Sequence, residues 1–154
     1  MIAPKIGSPY KISQVVPAVG SLPIRISAVY AAGPSKMGPL KIGHSIKPKS
    51  RISQLQTDNH EPVDIYAIAW TVDSKLSFRV ERRCHKILKK AGRHVRGEWF
   101  DIDAEWAKKV IAVAAREEGI PLYSNREVRE LSASRGELKM RQMIEDSGIL
   151  SLGM

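Results

Sequence analysis

The stretch from Ser74 to Ala91 constrains this chain more than any other. Leu76, Val80, Cys84, Ile87 and Ala91 recur at spacings of three and four, which draws one apolar stripe along a helix. Arg79, Arg82, Arg83, Lys86, Lys89 and Lys90 fill much of the remaining surface, and Gly92 supplies a stop. A helix so charged outside one stripe needs another layer to cover that stripe. The flanking sequence supplies strands. Ile24–Ala32 alternates at its start and is bounded by Gly33-Pro34, and Leu40–His44 follows after a Gly/Pro loop, so the two read as a hairpin. Val63–Trp70 reads as a third strand, apolar on both faces near its end as a central strand would be.

Two further helices complete the pattern. Lys49–Gln56 places Ile52 and Leu55 on one face before the polar turn Thr57–Pro62. Asp103 caps a last helix with Glu105 in its first turn and Ala107, Val110, Ile111 and Ala114 inward, ending at Gly119. Between them Gly97–Ile102 is a short segment with aromatic anchors in Trp99 and Phe100. Gly97 is there for a left-handed turn or a close backbone approach, and Gly43 for close packing where strand meets loop. The expected fold is α/β (α+β), a small, mostly antiparallel three-stranded sheet flanked by helices. It spans 24–118, after a Pro-rich arm at 1–23 and before a polar tail at 119–154 in which Glu137–Asp146 can form a marginal helix.

Charge narrows the class of partner. Against 16 acidic residues stand 25 lysines and arginines, a formal net charge of +9 that favours a polyanion such as nucleic acid. The single cysteine, Cys84, rules out an intrachain disulfide and a Cys-rich zinc knuckle, and its place in the stripe makes it a small buried hydrophobe. No apolar run is long enough for a membrane span, and the N-terminus lacks the apolar segment of a signal peptide. The expectation is a soluble, cytoplasmic protein without a membrane partner.

Several residues recur in an order that carries more information than any one of them. Ala28-Val29-Tyr30 lies in the first strand and Lys41-Ile42-Gly43 in the second. Arg51 follows ten residues after Lys41, Glu81 sits in the long helix four residues before His85, and Gly97-Glu98-Trp99-Phe100 follows that helix. In this order the chain resembles the GIY-YIG endonuclease superfamily. The most similar branch shares its domain with a phage T5-type open reading frame and a fungal meiotically up-regulated gene product. There the second motif often reads Lys-Ile-Gly, and a Gly-Glu-Trp-Phe signature follows the long helix.

The resemblance implies roles that elementary chemistry can weigh. Hydrolysis of a phosphodiester needs an activated water, a cation near the phosphoryl oxygens and help for the leaving oxygen. Tyr30 takes the place of the water-orienting phenol, although an ordinary tyrosine is a poor base at neutral pH. Arg51 takes the place of the catalytic arginine, able to fork onto a non-bridging oxygen. Glu81 takes the place of the metal-binding glutamate, and one carboxylate plus waters suits Mg2+ (or Mn2+). Glu98 is its rival as a ligand or as a lining acid. Lys41 replaces the second tyrosine of the superfamily, and His44 is a candidate proton carrier or phosphate contact. Each has a plainer reading: Arg51 as a solvated side chain, Glu81 as the partner of His85 or Lys86, Tyr30 as a buried ring, and the histidines as surface residues. Trp99 and Phe100 read as core anchors, and as base-stacking platforms only if exposed.

Arg79, Arg82, Arg83, His85, Arg93 and Arg96 cluster near the acid-bearing helix and fit a groove that grips phosphates without reading bases. The leading expectation is a metal-dependent endonuclease that hydrolyses DNA with little sequence preference, with branched and single-stranded forms among its candidate substrates. The alternatives are a nucleic-acid-binding module without catalysis and an accessory interaction module of a phage or mobile element.

Overall fold

The computed structural model describes residues 26–134. In chain order these form β1 (Ser27–Gly33), β2 (Leu40–Ser45), α1 (Pro48–Thr57), β3 (Asp64–Thr71), α2 (Ser74–Lys90), β4 (His94–Arg96), β5 (Trp99–Phe100), α3 (Ala104–Glu118) and α4 (Asn125–Ser134). The strands make one sheet in the order β3-β1-β2-β5-β4 with every pairing antiparallel. The sheet therefore has five strands where three were expected. The two extra strands are three and two residues long, too short for alternation to announce them. Gly97 turns between them at φ 52° with open space around it, so it serves a left-handed turn rather than a close approach.

The apolar third strand is not central. β3 lies at one end of the sheet, and both its faces are covered because helices pack on each side. One layer holds α2 and α3 against Val29, Ala31, Ile42, Ala67 and Ala69. The opposite layer brings Ile52 of α1 and Val128 of α4 against Ala28, Tyr30, Ala32, Ile65, Ile68 and Trp70. A register shift between Ala31 and Ala32 puts Ile65 on the face of Ile68, although strict alternation would place it with Ala67.

The helices start and stop for the reasons their sequences give. Asp73 accepts from the Leu76 amide at 2.8 Å to cap α2, and Asp103 accepts from the Trp106 amide at 2.8 Å to cap α3. α1 has Pro at its start, where a missing amide costs nothing. The buried face of α2 is turned relative to the apolar stripe and runs through Ser77, Val80, Glu81, Cys84 and Leu88, while Ala91 is exposed. The core does not end at Glu118. Ile120, Leu122, Tyr123 and Val128 are buried, and Tyr123 exchanges two backbone hydrogen bonds with Trp70 at 2.7 and 2.8 Å. The expected helix over 137–146 and the arm at 1–23 lie outside the described residues.

Candidate nuclease-like cleft

Tyr30 and Gly43 are direct cross-strand partners, so their α-carbons sit side by side on the face covered by α1. The phenol lies over the glycine. A Cβ at position 43 would come 2.7 Å from the Tyr30 hydroxyl oxygen and 2.9 Å from Cζ, closer than packed atoms tolerate. Gly43 is thus required by the ring of its partner, a more specific reason than packing at a strand end.

β5 pairs with β2 only at Leu40 and Lys41. Beyond them, Gly43, His44 and Ser45 form an uncovered stretch of the β2 edge, and side chains from both faces of the sheet meet around it. Tyr30, Gly43, His44, Ser45, Arg51 and Glu98 help line an open cleft of about 360 Å³ there. From the other face α2 contributes Glu81, only 4% exposed. A buried carboxylate is costly unless paired. Glu81 is paired, since its Oε2 bonds Nδ1 of His44 and its Oε1 lies 3.7 Å from Nε2 of His85. His85 donates from Nε2 to the Ile42 carbonyl at 2.9 Å and packs against Phe100 with the rings tilted by 44°. Glu98 forms an ion pair with Lys41 at 3.0 Å.

The electrostatics follow from this crowding. Burial pushes the Tyr30 phenol up to about 12, the Arg51 guanidinium pulls against it, and the Glu98 and Glu81 carboxylates push with it. The phenol is therefore neutral at physiological pH. For Glu98, burial works to raise the carboxyl, but the Lys41 ammonium, a hydrogen bond with Glu81 and the His85 charge together bring it below the usual range.

Glu81 and Glu98 are hard oxygen donors near enough to influence each other's ionisation, the donor type that a magnesium-like cation takes alongside its waters. Among the described residues no three His, Cys, Asp or Glu side chains form a set that could hold a metal ion. Glu98 faces the cleft, and Glu81 lies behind it, engaged by His44.

The six basic positions read as phosphate contacts fall into different places. Arg83 forks onto Glu118 at 2.6 and 2.8 Å, and Arg79 joins it at 3.2 Å, tying α2 to α3. His85 points into the charge cluster just described. Arg93 stacks on the Trp106 ring at 4.7 Å, and Arg96 is exposed on β4. Arg82 lies over the ring of Phe78, 5.6 Å from its centroid. Arg79, Arg82, Arg83, Lys86 and Lys89 line a groove of about 440 Å³ along α2, with Phe78 at its wall. Phe78 went unread in the sequence, although an aromatic residue off the apolar stripe is a visible signal.

Among the described residues no helix is long and apolar enough to cross a membrane. No curated protein and no solved structure matched the chain. The model of the T5orf172 domain matches residues 27–115, which run from β1 into α3 and include every residue that lines the cleft. With that span covering more than half its length, the chain belongs to the T5orf172 domain family.

Proposed function

We propose that this protein is a metal-dependent endonuclease that hydrolyses DNA phosphodiester bonds, a reading for which membership of the family, compatible with a nuclease-like or DNA-binding module, gives coarse support. The observation that carries it is the convergence of Tyr30, His44, Arg51 and Glu98 on one open cleft, with Glu81 directly behind. Tyr30, Arg51, Glu81 and Glu98 belong to the ordered set that the resemblance to the GIY-YIG superfamily implies, and they come from a strand, two helices and a turn.

The residues divide the work by their chemistry. Arg51, exposed in the first turn of α1, presents its guanidinium to a phosphoryl group entering the cleft and offsets the charge that develops on it. Tyr30, neutral and held flat on Gly43, orients a water by hydrogen bonding rather than by taking its proton. His44 is held by Glu81 through Nδ1, which fixes its ring at the cleft wall for proton transfer. Glu98 and Glu81 would hold Mg2+ or Mn2+, which supplies Lewis-acid stabilisation of the phosphoryl oxygens. Lys41 keeps Glu98 ionised and so ready for a cation.

The test is a cleavage assay on labelled duplex, single-stranded and branched DNA, with magnesium or manganese against a chelator. Metal-dependent cutting is expected, and Arg51→Ala should lower it by about a hundredfold or more, as loss of one charge-stabilising donor does. Full activity in that variant would overturn the assignment. Salt-sensitive binding without cutting of any DNA would instead make the protein a binding module.

A further inference from the structure

Phe78 is 44% exposed on the helix that carries Glu81. It lies one turn beyond Ser74, which lines the cleft, and its ring stands 5.3 Å from the His44 ring. On its other side Arg82 covers the ring and the groove of Lys86 and Lys89 begins. Phe78 is therefore the wall between the cleft and the basic groove. Nothing in the core needs it, since the buried face of α2 is complete without it.

We infer that Phe78 is a stacking platform for an unpaired base next to the phosphate in the cleft, so that DNA with an unpaired strand at that point is preferred over plain duplex. The inference rests on the nuclease reading for the position of the phosphate. In a duplex each base face is covered by its neighbours, so an aromatic side chain can stack only on a base that has left the helix. With Arg82 lying over the ring, such a base stacks on the guanidinium plane or on the part of the ring left exposed. The groove charges run the right way for the strand that carries it. Glu118 holds Arg79 and Arg83, while Arg82, Lys86 and Lys89 form no ion pair among the described residues and can follow successive phosphates along α2.

Fluorescence anisotropy with a chelator present isolates binding from cutting. The ligands are a blunt duplex and the same duplex with an unpaired arm, and the proteins are the full chain, Phe78→Ala and Phe78→Trp. The full chain should prefer the armed duplex by more than about fivefold, the lower end of what stacking one base contributes. Phe78→Ala should lose that preference, and Phe78→Trp should keep it. Equal affinities for the two DNAs, or a preference that survives in Phe78→Ala, would overturn the inference. Cleavage is read separately with magnesium. Cutting without a Phe78-dependent preference would remove the platform alone. A Phe78-dependent preference without cutting of any DNA would remove the nuclease reading and leave the platform.

Discussion

Two contacts set the properties of the cleft, and both are testable one residue at a time. The first is the phenol of Tyr30 resting on Gly43. Gly43→Ala would drive a methyl group into the ring, which is held by the core on its other side. Overpacking of this kind costs about 1–3 kcal/mol, so the variant should melt at lower temperature. It should also lose cleavage while still binding DNA, which a melt, an anisotropy titration and a cleavage assay on one preparation would show. The second contact is Lys41 with Glu98. Because the fold lowers the Glu98 carboxyl below its ordinary 4.5, its ion pair stabilises the protein above that pH and the contribution disappears as pH falls through the folded value. Glu98→Gln should therefore melt below the unaltered chain at neutral pH, and the gap should close under acid. A gap independent of pH would remove the ion pair as its cause.

At the scale of elements, legibility followed length. The long helices were readable because fifteen or more residues repeat their period, and Asp103 and Gly119 mark the ends of α3 as helix caps do. β4 and β5 were not, since five residues between them hold no period. α4 had a signal that went unused. Ser124 and Glu127 form a reciprocal capping box, with the Ser124 amide donating to the Glu127 carboxylate at 3.0 Å and the Glu127 amide to the Ser124 hydroxyl at 3.1 Å. The helix docks through Asn125, whose side-chain oxygen accepts from the Trp70 indole at 2.5 Å. The Asn125 side-chain nitrogen is buried without a partner among the described residues, which offsets part of that gain. Asn125→Ala should therefore cost only about 1 kcal/mol, the low end for a lost buried acceptor, measured by denaturant unfolding.

Over the whole molecule, the net charge of +9 pointed to a polyanion but not to where it would lie. The structure sorts the charges by use. Arg79 and Arg83 join two helices through Glu118, Lys41 pairs with Glu98, His44 and His85 lie against the buried Glu81, and Arg82, Lys86 and Lys89 line the groove. Sequence order gathered Tyr30, Arg51, Glu81 and Glu98 into one expectation, but it could not show that they meet where β5 stops short of β2. That meeting is set by the pairing of distant segments. Nor could it show Glu81 behind His44, which depends on how far α2 is rotated over the sheet.

The two hydrogen bonds between Trp70 and Tyr123 bear on what part of this protein could be moved into another chain. The family match ends at residue 115, within α3, yet the end strand β3 is closed by residues that follow that helix. A fragment trimmed to the matched span would carry a naked strand edge and an indole whose N–H has lost its acceptor, an invitation to pair with a second molecule. The portable unit is accordingly longer than the matched span, and a fusion designed from the match alone would be joined in the wrong place.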